Sequence, residues 1–546
     1  MCNYEVIILR KMINKMRTFF LNFLVLLVIA SCKQEISMPR EEIKIQPTVV
    51  KIEQPVTIDT VYLKKYHPNV FEFYKNLNFK TAWYQKKNRE AYLSFLTNIY
   101  EDGLNTKDYY YDSIQSKISK FDSLSEAELG TLDAYLTNSF LKLANHIHSG
   151  KLNPTLLYND WELQPKKINP EPVLQKTLQK QNMSFVLDSL RPKNKIYAKL
   201  RESLRDFKLI DADSSSIANL KIVTPQKLVV NDTNAAIIDI KRKLEYLDFY
   251  KPTDSINAVY TEDFVDVVKR FQSIHNLTPD GIIGLSTIKA LNHNKNHRKN
   301  QIIANLERFR WYPDTLGQNY VIVNIPEFRL WLISDQDTLL SKKIIVGKPA
   351  RRTPVLSSKF SDIVINPTWT VPPTILKKDL TPSAKRDLSY FSRNKIKIYK
   401  NGEIVAPEDW DSEQASKYRY VQDPGSHNSL GIIKFNFPNK HFVYLHDTNH
   451  KSGFGRDGRD LSSGCIRVNQ PLDLATNIFA LDNNKTMTLT KINELIDLGK
   501  TTSIRIKKPI YVHQFYWTVS LDQEEDIKYN DDVYNLDIAL FNALQI

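Results

Sequence analysis

Cysteine is almost absent from this chain of 546 residues, which carries Cys2, Cys32 and Cys465 and no others. Three cysteines cannot build a disulfide framework or a four-cysteine zinc site, so the fold must rest on hydrophobic cores. Glycine is scarce too, with 15 residues or about 3% against a usual ~7%. Seven of those 15 fall between Gly402 and Gly464, which marks that stretch for attention. Near the N-terminus the apolar run Phe19 to Ala30 has 12 residues, too few for a helix to cross ~30 Å of hydrocarbon. Acidic residues are outnumbered: the net charge is +14, and +11 once residues 1–31 are set aside with Arg10, Lys11, Lys15, Arg17 and Glu5. The excess is spread along the chain, and no RNA- or DNA-binding signature accompanies it. An anionic polymer or surface is favoured as partner, and nucleic acid is not.

What is present is globular material: 42% hydrophobic and 25% charged residues, in a length that predicts three or four domains of about 150 residues. Basic residues ahead of the Phe19–Ala30 run read as a secretory signal. It ends Ile29-Ala30-Ser31-Cys32, which resembles a bacterial lipobox. The resemblance implies cleavage after residue 31 and lipidation of Cys32, giving an exported lipoprotein held on a membrane by acyl chains at about 0.8 kcal/mol per buried methylene. Lys33, where aspartate would signal retention, implies the outer membrane facing the periplasm. Residues 32–60, with Pro39, Pro47 and Pro55, read as a tether. With Met12 or Met16 as the start, Cys465 is the one free thiol of the mature chain.

Over 61–220 the pattern is helical. Tyr92, Phe95, Leu96, Ile99 and Tyr100 fall on one helix face, as do Leu132, Tyr135, Leu136, Leu143 and Ile147, with Gly150 at a helix stop. Residues 228–292 carry two apolar stripes, Ile237 to Leu247 and Phe264 to Phe271. After them come Gln272, the turn Asp280-Gly281, then Gly284 and Thr287. This resembles the three-helix peptidoglycan-binding module, though a glycine is missing near Tyr260-Thr261. From 319 the period becomes two, predicting a mostly β domain to about 500. Residues 374–423 interrupt it with lysine-rich sequence, helical from Leu376 to Arg393, that reads as an inserted cap. The tail, 501–546, is expected to pack back on the body. The fold class is thus multidomain α+β: helical scaffold, three-helix module, and β catalytic domain with a helical cap.

The chemistry gathers in Tyr444-Leu445-His446-Asp447-Thr448 and Ser462-Ser463-Gly464-Cys465-Ile466-Arg467. A thiol attacks as thiolate and needs a base within reach and a third group to orient that base. His446 and Cys465 are 19 residues apart, with Gly453, Gly455 and Gly458 between them, enough chain for two strand ends to meet. Gly464 lets the backbone turn so that amide groups face an oxyanion, and Arg467 lies on the same side of a strand as Cys465 to pin a carboxylate. A zinc set of His446, His450 and Cys465 is the competing reading, without a helical histidine–carboxylate motif to support it.

The run His446 … Ser463-Gly464-Cys465-Ile466-Arg467 resembles the L,D-transpeptidase catalytic domain, and the longer agreement its large multidomain subgroup. Supporting it are Val346-Gly347-Lys348, Asn366-Pro367 to Pro372-Pro373 around Trp369, Pro424-Gly425 to Gly431 around Asn428, and Lys434-Phe435-Asn436. Ser463 stands where many relatives have histidine, and Asn449 where proline is common. The resemblance implies Cys465 as nucleophile, His446 as base, the Asp447 carbonyl as its orienter, and Tyr444 with the Gly464–Cys465 amides at the oxyanion. Arg467, Ser463, Trp369 and Asn428 would contact substrate, with no cofactor and no metal. The implied reaction is 3→3 cross-linking of peptidoglycan through a cysteinyl thioester with release of D-Ala, in cell-wall biogenesis and cell shape. A carbapenem would acylate the same thiol. An L,D-carboxypeptidase using water as acceptor, or a non-catalytic wall-binding lipoprotein, are the other classes.

Overall fold

Helix-period spacing organises the first third of the chain. The computed structural model describes residues 54–208, 216–224 and 226–545, so the signal peptide, Cys32 and most of the tether lie outside the described residues. The helix Glu126–Ser149 opens on a capping box, Ser125 with Glu128, and ends at Gly150. There φ is +91°, and a Cβ would stand 2.4 Å from the Trp311 indole nitrogen, so glycine is required twice over. Leu132, Leu136, Phe140, Leu143 and Ile147 form its buried stripe and join Tyr92, Leu96 and Ile99 in one core. Asp133 is buried within that core and accepts from the Tyr74 hydroxyl at 2.6 Å and from the amides of Ala82 and Trp83. Burial pushes its carboxyl up to about 6.

The expected helical unit 61–220 does not hold one core. Tyr158, Trp161, Tyr197, Leu200 and Leu204 pack instead with the large sheet. The contact is made by the helix Lys295–Trp311, which lies between the module and the sheet and is buried along most of its length. Its charges are neutralised inside: Arg310 pairs with Glu307 at 2.7 Å and Arg308 with Asp537. Apolar periodicity cannot reveal such a helix, because the side chains it buries include paired charges.

The module's three helices are Ala236–Tyr246, Glu262–Ile274 and Leu285–Leu291, around a core of Ile237, Leu244, Phe264, Phe271 and Ile283. Gln272 is its polar hub. Its Nε2 donates to Asp280 Oδ1, the Ile282 carbonyl and Thr287 Oγ1, and its Oε1 accepts from the Gly281 amide at 2.9 Å. The Gln, Asp-Gly and Thr spacing seen in the sequence therefore encodes a hydrogen-bonded turn.

The strands are β1 Asn319–Asn324, β2 Arg329–Ser334, β3 Asp337–Gly347, β4 Leu356–Lys359, β5 Asp362–Ile365, β6 Trp369–Thr370, β7 Ile396–Lys400, β8 Glu403–Val405, β9 Arg419–Gln422, β10 Ile433–Asn436, β11 Leu445–His446, β12 Asp460–Ser462, β13 Ile466–Val468, β14 Thr502–Arg505, β15 Tyr511–Phe515, β16 Val519–Leu521 and β17 Ile527–Tyr529. An 11-stranded sheet runs β14-β5-β10-β11-β13-β3-β2-β1-β15-β4, with β12 alongside β3. The tail, expected to pack back on the body, supplies strands of this sheet. β15 lies between β1 and β4, pairing Tyr511 with both Tyr320 and Lys359, and β14 forms the edge beside β5. Partners nearly 200 residues apart leave no local trace in sequence.

The insert is helical over 373–393 but also supplies β7, β8 and β9, which with β6 form a second sheet, β6-β9-β7-β8. Ile396 and Ile398 alternate into a core with Phe391, Trp410 and Tyr420. The hairpin between β7 and β8 turns on Asn401-Gly402, both at positive φ, a pairing typical of two-residue hairpin loops. The cap is therefore a small α/β unit with its own core.

Candidate active site

Register across three strands assembles the site. β10 and β11 pair Phe435 with Leu445 and Lys434 with His446; β11 and β13 pair Leu445 with Ile466 and His446 with Arg467. Phe435, Leu445 and Ile466 are fully buried in the core. Because strand residues alternate faces, Lys434, His446 and Arg467 share the opposite face. One alternation back, Tyr444 stands beside His446, rings 5.6 Å apart and edge-on, and Lys434 Nζ lies 4.0 Å from the Tyr444 ring centroid. The Tyr444 hydroxyl and amide lie against the Cys465 thiol, and the Trp369 side chain lies against that hydroxyl.

The electrostatics set the resting protonation. Burial pushes the Cys465 thiol up, opposed by Tyr444 and then by the charges of Lys434 and Arg467. Burial foremost, then Arg467, pushes His446 down to about 3, while the Asp447 backbone carbonyl acts the other way. At neutral pH the site therefore holds a neutral thiol and a neutral imidazole, with Tyr444 kept protonated by burial. His446 Nδ1 forms no well-aligned hydrogen bond among the described residues, and neither does Arg467 Nε. The Arg467 guanidinium thus keeps donor capacity for a substrate.

Each expected residue can now be placed. Gly464 has φ +114°, a left-handed value that favours glycine. Its amide, expected at an oxyanion, already donates to Ser462 Oγ at 3.1 Å, and its carbonyl accepts from Thr353 Oγ1 at 2.9 Å. Gly464 shapes the turn, and its N–H is not free. Asn428, expected at substrate, is wholly buried; Nδ2 donates to the carbonyls of Pro367, Gln422 and Asp423 and Oδ1 accepts from Leu430 N. It braces the loop and leaves no group for a ligand. Asp447 turns its carboxylate away from the thiol, toward the Ile432 amide at 3.1 Å and Lys451. Ser463 is exposed, and its Oγ accepts from Arg351 Nη1 at 2.8 Å. His450 is exposed and bonds to the Asn449 side chain.

Two site residues were missed in the sequence. Lys434 figures there as part of a run, with no role, although its place on a strand that pairs with His446 puts its charge at the thiol. Arg351 forks onto the cap through Asp379, Nη2 to Oδ1 at 2.7 Å, while holding Ser463. No sequence signal marks it, because its partners lie 28 and 112 residues away.

Comparison with known proteins follows this division of the chain. The description "L,D-transpeptidase catalytic domain" matches residues 318–489, "Putative peptidoglycan binding domain" matches 233–291, and "Scaffold domain" matches 68–204. A curated protein of Haemophilus influenzae, named "Putative L,D-transpeptidase", is 33% identical over 288 residues, 52% of this chain and 57% of that protein. The chain thus spans little more than half the length of that relative. Among solved structures, an L,D-transpeptidase from Stackebrandtia nassauensis is 12% identical, covering 53% of this chain and 94% of its own, at a TM-score of 0.20. One from Xylanimonas cellulosilytica is 12% identical, covering 54% and 99%, at a TM-score of 0.16. The Ldtfm–avibactam carbamoyl enzyme is 15% identical, covering 37% and 51%, at a TM-score of 0.18. Residues 318–489 are therefore an L,D-transpeptidase catalytic domain, joined in one chain to a peptidoglycan-binding domain.

Proposed function

We propose that the protein is a peptidoglycan L,D-transpeptidase that forms 3→3 cross-links through a thioester on Cys465. The observation that carries this reading is the thiol set among Tyr444, Lys434 and Arg467, on the same sheet face as a neutral His446, within a matching catalytic domain. Cys465 Sγ adds to the carbonyl between the third, diamino residue of a tetrapeptide stem and its terminal D-Ala, and its proton passes to His446. The resulting oxyanion sits by the Tyr444 hydroxyl, since the Gly464 amide is occupied. The C–N bond breaks, and His446 returns the proton to the departing amine of D-Ala. An amine from a neighbouring stem then adds to the thioester, His446 takes that proton, and collapse forms the new amide and restores the thiol. Arg467, with Lys434 beside it, supplies the positive charge that holds the stem carboxylates. The wall-binding module keeps substrate at hand, and lipidation at Cys32 would place the enzyme on the outer membrane facing the periplasm.

The test is incubation of purified protein with tetrapeptide muropeptides, with products resolved by mass. Dimers with loss of D-Ala are expected. Tripeptide monomers alone would make it a carboxypeptidase, and unchanged substrate would leave only the binding role.

A further inference from the structure

A cavity of about 370 Å³ lies where the three-helix module meets the catalytic body, and no residue placed at Cys465 lines it. Its wall includes Lys289 and His293 of the module, Arg298 of the buried helix, Tyr529 of β17 and Asp460 of β12. Arg298 is the informative group. It is 6% exposed and forms no direct ion pair among the described residues, and Asp531, the acid that acts on it, is already held by Lys289. Nη2 donates to the Ala290 carbonyl at 3.1 Å, Nη1 reaches Gln301 Oε1 only at 3.5 Å, and the guanidinium lies 4.6 Å from the Tyr529 ring centroid. Most of its five N–H donors are therefore unused. Burial pulls it down to about 10 against the opposing pull of Tyr529 and Asp531, so the charges already present do not offset its desolvation.

The acids around it are otherwise engaged. Lys289 holds Asp531 at 2.5 Å, Asp457 accepts from Thr278, and Asp532 accepts from the Tyr516 hydroxyl and the amides of Leu536 and Asp537. Asp460 remains, with no ion pair among the described residues, and suits an ammonium group. The cavity also touches the catalytic loop. Asp457 belongs to the segment between His446 and Cys465, and its Oδ1 accepts from Thr278 N at 3.0 Å and Thr278 Oγ1 at 2.6 Å. Asp460 opens β12, which leads within five residues to the nucleophile.

We propose that this cavity is a second wall-binding subsite, taking the carboxylate-and-amine end of an uncross-linked stem peptide with Arg298 on the carboxylate. This rests on the stem-peptide substrate of the preceding section. Occupancy would register neighbouring wall at a surface shared with the loop that carries Cys465.

The experiment is a calorimetric titration of the mature chain carrying Cys465→Ala with a disaccharide tetrapeptide. Two sites per chain are expected. Arg298→Gln should weaken one of them about 10- to 100-fold, the loss expected for a charge-assisted pair, and amidating the stem carboxylates should weaken it likewise. Ser286→Trp, at an exposed position on the cavity wall, should block the same site without opening the core. Both substitutions, made with Cys465 intact, should leave its acylation by a small β-lactam unchanged, which reports that the fold survives. One site insensitive to both substitutions, or two sites that both persist, would overturn the cavity assignment alone. Absence of any stem binding would sink the stem-peptide reading with it.

Discussion

Lys434 offers the sharpest test of how the thiol is made reactive. It pairs in register with His446, stands over the Tyr444 ring at 4.0 Å, and its charge lowers the Cys465 pKa against burial. Lys434→Met keeps the aliphatic stem and removes the charge. An opposite charge within about 4–6 Å moves a pKa by about 1–3 units. Because Arg467 stays in place, the low end applies, about one unit or ~1.4 kcal/mol. Losing a cation that favours the thiolate raises the thiol pKa, so at any pH below it the thiolate fraction falls about ten-fold. The remaining thiolate is a stronger nucleophile by about three-fold, since reactivity follows basicity with a slope near 0.4–0.5. The net expectation is alkylation about 3- to 4-fold slower at neutral pH, with the profile midpoint displaced upward by about one unit. The assay is the rate of iodoacetamide adduct formation against pH, followed by intact mass, for the parent, Lys434→Met and Lys434→Arg. A midpoint unmoved in the methionine variant would refute the electrostatic role. An equal displacement in the arginine variant would show that packing of the stem matters and charge does not.

Cys465→Ala should abolish turnover and β-lactam adduct formation while thermal unfolding stays near the parent, because the thiol is only half-buried; an adduct on the alanine variant would displace the nucleophile. Arg351→Ala frees Asp379 of the cap and Ser463 of the catalytic loop together, so cross-linking of muropeptides should fall several-fold while a small β-lactam still acylates at the parent rate; equal losses in both would mean that the site itself has collapsed. Trp369→Ala should weaken cross-linking more than folding, as read from turnover beside a denaturant titration. Asp133 is an acid whose folded pKa, about 6, lies above its unfolded value near 3.9. The folded state therefore holds the extra proton, and stability falls as pH rises from about 4 to 6, by roughly 2–3 kcal/mol; subtracting the unfolding curve of Asp133→Asn should remove that slope. Chelators should leave activity intact, and inactivation by them would revive a zinc set of His446, His450 and Cys465.

Much of the site was legible because it is local. His446 and Arg467 sit on two short strands, with Cys465 in the turn just before the second, and register does the rest. Asn428 misled for a physical reason: a buried amide that satisfies three carbonyls marks a stretch as strongly as a ligand contact would. Gly464 was read correctly as a turn but wrongly as a free donor, since the hydroxyl of Ser462, two residues back, takes its N–H. The cap's sheet was within reach through Asn401-Gly402, a hairpin signal passed over amid lysine-rich sequence. The helix Lys295–Trp311 and β15 were not within reach. One buries charges that pair with residues as distant as Asp537, and the other pairs with strands at 320 and 359.

These long-range pairings explain why the catalytic loop needs so large a protein. The turn at Gly464 is held by Thr353, whose amide donates to the Tyr534 hydroxyl, which itself donates to the Gly347 carbonyl at 2.7 Å. The tail thereby helps hold the turn that carries Cys465. Arg351 ties Ser463, next to Gly464, to the cap, and Thr278 ties Asp457, on the approach to the same turn, to the wall-binding module. The exposed pairs among these, Arg351–Ser463 and Thr278–Asp457, contribute little to stability singly, about 1 kcal/mol or less each. Their number is not needed to hold the fold, whose strands already bury Phe435, Leu445 and Ile466. What they do is give the short segment from Asp457 to Cys465 one geometry, with contacts from the module, the cap and the tail meeting on it. On the proposed mechanism a neutral thiol and a neutral imidazole depend on that geometry, because proton transfer between them must be arranged by position when it is not favoured by charge.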